Sequence, residues 1–111
     1  MTFILKKPAT FVVEEVPVTE PGQEKPGTMR VEYVYRTHSE YDAWVDSLKD
    51  KDYLAVVPEF VKGWANCRDA DGNEIDFSPA SLKQIAEASP PFPKDLFGAY
   101  RKGLFESRVK N

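Results

Sequence analysis

One cysteine and one histidine stand in 111 residues. A single thiol cannot close an internal disulfide, so the cysteine content gives no sign of an oxidising compartment. One Cys with one His also falls short of the Cys/His ligand cluster that a zinc site needs. Long apolar runs are missing: none approaches the roughly 18 residues of a membrane-spanning helix. The opening Met1-Thr2-Phe3-Ile4-Leu5-Lys6-Lys7 has only three apolar residues before two lysines, too few for the core of a secretory signal. A basic excess is missing as well. Fifteen Lys and Arg face eighteen Asp and Glu, for a net charge of −3, which argues against nucleic acid as a partner. There is no glycine-rich phosphate loop and no Ser/His/Asp spacing that marks a nucleophile. The adjacent acids Glu14 and Glu15 lie in an extended stretch, where neighbours face opposite ways. The expectation is a cytoplasmic, non-catalytic chain with no metal and no cofactor.

What is present suits one α+β domain spanning residues 1–111. Apolar residues make up 41% and charged residues 30%, a balance that favours a folded core over disorder. Residues 10–19, TFVVEEVPVT, are rich in β-branched side chains and read as a strand. Pro17 lacks an N–H and marks that strand as an edge. Residues 20–27, EPGQEKPG, hold two Pro and two Gly and read as a flexible connection. Residues 28–36 then alternate. Met29, Val31, Tyr33 and Tyr35 face one way, and Arg30, Glu32 and Arg36 the other, with Val34 among them, as in a half-buried antiparallel strand. Residues 1–36 therefore form a β-hairpin, and residues 37–111 are mainly helical.

Thr37-His38-Ser39-Glu40 has the form of a capping box. Tyr41, Trp44, Val45 and Leu48 follow it at helical spacing. His38 reads as an exposed first-turn residue with no evident partner for base chemistry. In DYLAVVPEFVKGW, residues 52–64, Pro58 predicts a break between two short helices. The second would carry Phe60, Val61 and Trp64 on one face and stop near Gly63. Ser78-Pro79 opens another helix as N-cap and first residue, with Leu82, Ile85 and Ala86 on its apolar side. The last helix spans about residues 94–108, with Leu96, Phe97, Tyr100 and Leu104 as its core stripe.

Two stretches invite a chemical reading. GWANCRDADGNEIDFS, residues 63–78, concentrates acids around Asp71-Gly72. An EF-hand loop needs Gly at position 6 and a Glu at position 12. Counting Asp69 as position 1 puts Gly72 at position 4 and Ala80 at position 12, so the ligand set fails. Asp-Gly is instead a strong type I′ turn pair, predicting a short hairpin between residues 65–68 and 74–77. Cys67 reads as a small strand residue with no activating neighbour. The second stretch is a strip on the last helix formed by Lys94, Arg101, Phe105 and Arg108. Residues 92–111 carry five basic and two acidic groups, net +3, which leaves −6 for the rest. The cations suit the C-terminal end of a helix dipole. Arg101, Phe105 and Arg108 also make a candidate docking strip for a protein partner.

The order of these features resembles the tail assembly chaperones of long-tailed, non-contractile bacteriophages and prophages. The resemblance lies in a helix ending at Gly63-Trp64, then Asp69-x-Asp71-Gly72, then Phe77-Ser78 before a helix, then a helix with Tyr100 and a final Lys110-Asn111. FVVEEVPVTEPG, MRVEYVYR and an acidic helix fit the front half. It implies a non-enzymatic assembly factor in the bacterial host cytoplasm. Such a factor binds the tape measure protein, recruits tail tube subunits and self-associates, and many are made in two lengths by frameshifting. Two other readings of the same residues are a small regulatory protein-binding domain with an unrelated target and a nucleic-acid module using the basic last helix.

Overall fold

The computed structural model describes residues 2–106. The elements run β1 (Thr10–Val18), β2 (Gly27–Val34), α1 (His38–Asp46), α2 (Tyr53–Phe60), β3 (Val61–Ala65), α3 (Pro79–Ala88) and α4 (Phe92–Glu106). This is an α+β fold. Its three strands form one antiparallel sheet in the order β1-β2-β3.

The alternation of β2 has the expected result: Met29, Val31 and Tyr33 are buried and Arg30 is exposed. β1 pairs with it as an edge strand, with Pro17 opposite Thr28. The register shifts between Val13 and Val16. This bulge turns the strand so that Val16 reaches the core although it stands an odd number of residues after the inward-facing Val13. Between the strands, Gly22 sits at φ +79°, and the Gln23 N–H donates to the Glu20 carbonyl (3.1 Å). Gly27, expected in the connection, already belongs to β2.

The capping box forms. The Glu40 N–H donates to Thr37 Oγ1 (3.2 Å) and the Thr37 N–H to Glu40 Oε1 (2.9 Å). Tyr41 and Trp44 are buried, whereas Val45 is exposed within α1, and Leu48 lies beyond the helix, which ends at Asp46. Ser78 caps α3 as expected, with Ser81 completing the reciprocal pair and Leu82 buried.

The region around Pro58 corrects the sequence reading. There is one helix, not two. Asp52 caps α2 by accepting from the Ala55 N–H (2.9 Å), and Pro58 lies inside it on the exposed side. A proline this near the end of an eight-residue helix forfeits one intrahelical hydrogen bond. Val61, Gly63 and Trp64 are not helical. They form β3, pairing with β2 through Val31 opposite Trp64 and Glu32 opposite Gly63. The resemblance had placed Gly63-Trp64 at a helix end; the pair instead sits in a strand.

The Asp71-Gly72 turn is also not type I′, because Gly72 is left-handed (φ +86°) and Asp71 is not. The Gly72 N–H donates to the Asp69 carbonyl (3.0 Å) and the Asp69 N–H to the Asn73 carbonyl (2.9 Å). Asp69 Oδ1 accepts from the Asp71 and Asn73 N–H groups, both at 2.9 Å. That carboxylate starts the bend at Asp69, one residue earlier than an Asp71-Gly72 centre requires. The hairpin shrinks to a single bridge, Arg68 to Glu74, with the Ile75 N–H donating to the Cys67 carbonyl (2.7 Å).

The helices pack on the sheet face that carries Met29, Val31 and Tyr33. The core is unusually aromatic. The Tyr100 ring lies 5.1 Å from Phe60, 5.2 Å from Tyr33, 5.7 Å from Trp44 and 6.0 Å from Phe11, centroid to centroid. These are contact distances at which offset and edge packing add to area burial. The polar tips find partners: Tyr33 Oη donates to the Leu96 carbonyl (3.0 Å) and Trp64 Nε1 to the Ile75 carbonyl (2.8 Å).

Candidate protein-docking site

α4 meets α1 at its C-terminal end. The apolar positions of α4 place Leu96 and Tyr100 in the core, and one turn further Phe105 comes out over the start of α1. The Phe105 ring is 40% exposed. It is not free-standing. Its edge contacts put it 5.0 Å from Tyr41 and 5.2 Å from His38. The Arg101 guanidinium stands 5.7 Å above it, within cation–π range. The same cation acts on Tyr41, whose hydroxyl pKa is raised by burial, with Arg101 opposing the rise. Arg101 and Phe105 are therefore brought together on a rigid base. Arg108 lies outside the described residues. Lys94 does not join them; it lies two turns earlier on α4, beside Asp95 and the strand β1.

His38 is exposed, as expected, but it does have partners. Its Nδ1 lies 3.2 Å from Asp42 Oδ2 and its ring supports Phe105. Sequence spacing shows the Asp42 contact, since i and i+4 share a helix face. It cannot show Phe105, which arrives from 67 positions along the chain. Arg36 was assigned to the polar face of β2 and does more than that. It donates through Nη1 to Tyr100 Oη (3.0 Å) and through Nη2 to the Glu59 carbonyl (3.1 Å), and its guanidinium lies 4.2 Å over Trp44. One side chain thus joins the sheet to α1, α2 and α4 beneath the candidate site.

The acids with shifted pKa values all serve the fold. Glu40 is pulled down to about 2, chiefly by the Lys7 ammonium at 2.7 Å and then by the Thr37 N–H. Glu59 is lowered because it accepts from Trp44 Nε1 (2.9 Å) and Lys51 Nζ (3.2 Å). Asp69 is lowered by the N–H groups of its own turn, Asn73 first. Burial pushes the Cys67 thiol up, and Glu74 adds to the rise, the reverse of what a reactive thiolate needs. Among the described residues, no three His, Cys, Asp or Glu side chains gather as a ligand set, and no helix is long and apolar enough to cross a membrane.

A second exposed apolar feature stands apart from this site. Phe3, Ile4 and Leu5 are 84%, 66% and 84% exposed, in a stretch with no regular structure before β1. In sequence they register only as a run too short for a signal peptide. Comparison with family models, with curated proteins and with solved structures finds no match to this chain.

Proposed function

We propose that this protein is a non-catalytic tail assembly chaperone that binds the tape measure protein through the Arg101–Phe105 surface. The observation that carries the reading is the exposed Phe105, held against Tyr41 and His38 with Arg101 over it. A long helical partner with apolar stripes needs shallow, adaptable contacts, and an aromatic ring beside a cation offers them. The use of the perturbed acids as structural acceptors also favours a protein that works by contact. Recruitment of tail tube subunits and self-association in a bacterial host belong to the same reading. The test is co-expression with a tape measure protein from the same genome, scoring the partner's solubility. Replacing Arg101, Phe105 and Arg108 together by Ser, with helicity unchanged by circular dichroism, lowers the soluble fraction. A partner that stays equally soluble removes the proposal.

A further inference from the structure

Along the other flank of α4 runs an open groove of about 1090 Å³, walled by β1 and α4 and closed by the connection after β1. Pockets of about 300–1,000 Å³ hold drug-sized ligands, so three side chains fit here. Val13 and Ala99 give it an apolar floor. At Gly98 that floor is bare backbone, with no atom within 4 Å of where a Cβ would stand. Its rim is acidic: Glu14, Glu15, Glu20, Glu24, Asp95 and Glu106 face three lysines.

The stretch before β1 has the complementary character, three large apolar side chains followed by Lys6 and Lys7. It does not turn into its own groove. The Ala9 carbonyl accepts from the Tyr35 N–H (3.0 Å), and Lys7 Nζ binds Glu40 Oε2 at 2.7 Å. Both contacts fix the root of the stretch towards α1, none of whose residues line the groove. Among the described residues, nothing covers Phe3, Ile4 or Leu5. Beyond Lys7, residues 3–6 can reach about 13 Å when extended.

We propose that the groove between β1 and α4 receives Phe3, Ile4 and Leu5 of a second copy of this chain, with Lys6 meeting the acidic rim. The stretch leads into β1, whose Phe11 meets Gly103 on the α4 wall of the groove. A two-fold pair can therefore exchange both segments at once and close on itself. This supplies a surface for the self-association in the reading above and rests on it in that respect; neither Arg101 nor Phe105 lines the groove, and the test contains no partner protein, so its failure is distinct from a failure of tape-measure binding.

The experiment is sedimentation velocity on the full chain over a range of concentrations. The wild type forms dimers. The triple variant Phe3→Ser, Ile4→Ser, Leu5→Ser, altered only at exposed positions, dissociates with a constant weaker by about tenfold or more. The rim variant Glu14→Lys, Glu15→Lys weakens the dimer as well. A spin label at Thr2→Cys in a Cys67→Ser background, mixed with isotope-labelled chains carrying no spin label, broadens the Gly98 and Lys102 amides of the other molecule. A wild type that stays monomeric overturns the proposal. So does a triple variant that associates as tightly as the wild type, broadening confined to the label's own chain, or capture by anionic vesicles in place of self-association.

Discussion

Removing the Arg36 guanidinium tests whether one side chain holds the sheet to three helices. Arg36→Met keeps much of the aliphatic stem and loses the rest. Two hydrogen bonds from a charged donor disappear, at 3.0 Å to Tyr100 Oη and 3.1 Å to the Glu59 carbonyl. Bonds to charged groups contribute about 1.5–3 kcal/mol each in favourable cases. Arg36 is only half-buried, which puts both at the low end. The stacking on Trp44 at 4.2 Å adds about 0.5–1 kcal/mol. The Tyr100 residue is fully buried, so its hydroxyl loses a partner it cannot readily replace with water. The expected loss is about 3.5–4 kcal/mol, or roughly 15–25 °C in Tm for a chain of this size. Arg36→Lys keeps the charge but loses the planar fork, and costs about 1–2 kcal/mol. Urea unfolding followed by tryptophan fluorescence reads both, since Trp44 lies under the guanidinium. A double-mutant cycle with Tyr100→Phe isolates the hydroxyl bond, with an expected coupling of about 1 kcal/mol. If Arg36→Met stays within about 0.5 kcal/mol of the wild type, or the cycle is additive, the clamp contributes nothing and the reasoning fails.

Two glycines of α4 are expected to respond oppositely to alanine. At Gly98 a Cβ meets open space, so Gly98→Ala stabilises by about 0.5–1 kcal/mol through helix propensity. At Gly103 it meets Phe11 Cε2 at 2.7 Å and Val13 Cγ2 at 3.2 Å. Phe11 is stacked on Tyr33 and Tyr100, so overpacking of about 1–3 kcal/mol outweighs the same propensity gain; equal urea midpoints for the two variants would contradict this. The Glu40 carboxyl falls from an ordinary 4.5 to about 2 in the folded chain. Its contribution is therefore complete above about pH 4.5 and is lost as pH falls towards 2. Glu59 and Asp69 are lowered too and add to the acid sensitivity, so the reading is the difference between wild type and Glu40→Gln. That difference shrinks between pH 5 and pH 3, and a constant difference in urea stability would refute the role of Lys7.

Local signals carried much of the architecture. The alternation of Met29, Val31 and Tyr33 depends on a period of two. The Thr37–Glu40 and Ser78–Pro79 caps depend on residues within one helical turn. Each is complete in a short window of sequence, and each forms. β3 was not legible because nothing inside Val61–Ala65 separates it from the apolar helix before it. Its identity comes from β2, through pairs such as Val31 with Trp64, some thirty residues away. The candidate site divides in the same way. That Arg101 and Phe105 share a helix face follows from their spacing of four. That Phe105 rests on Tyr41 and His38, and that Arg36 ties Tyr100 to Glu59 beneath them, depends on how α1 docks against α4. Lys94 shows the limit of a helical-wheel argument. It falls near Arg101 in projection, yet seven residues at about 1.5 Å each set it some 10 Å away along the axis, beside β1, while Arg101 acts on Tyr41 of α1.

Phe60 ends α2 and Val61 begins β3 with no residue between them, and both are buried. A junction without slack makes the phase of the strand hostage to the phase of the helix. Adding or deleting one residue there would turn the side chains of β3 over, sending Val61 to solvent and Lys62 towards the aromatic core. Length variation, epitope tags and engineered cuts should therefore be tolerated in residues 20–26 and not at residues 60–61.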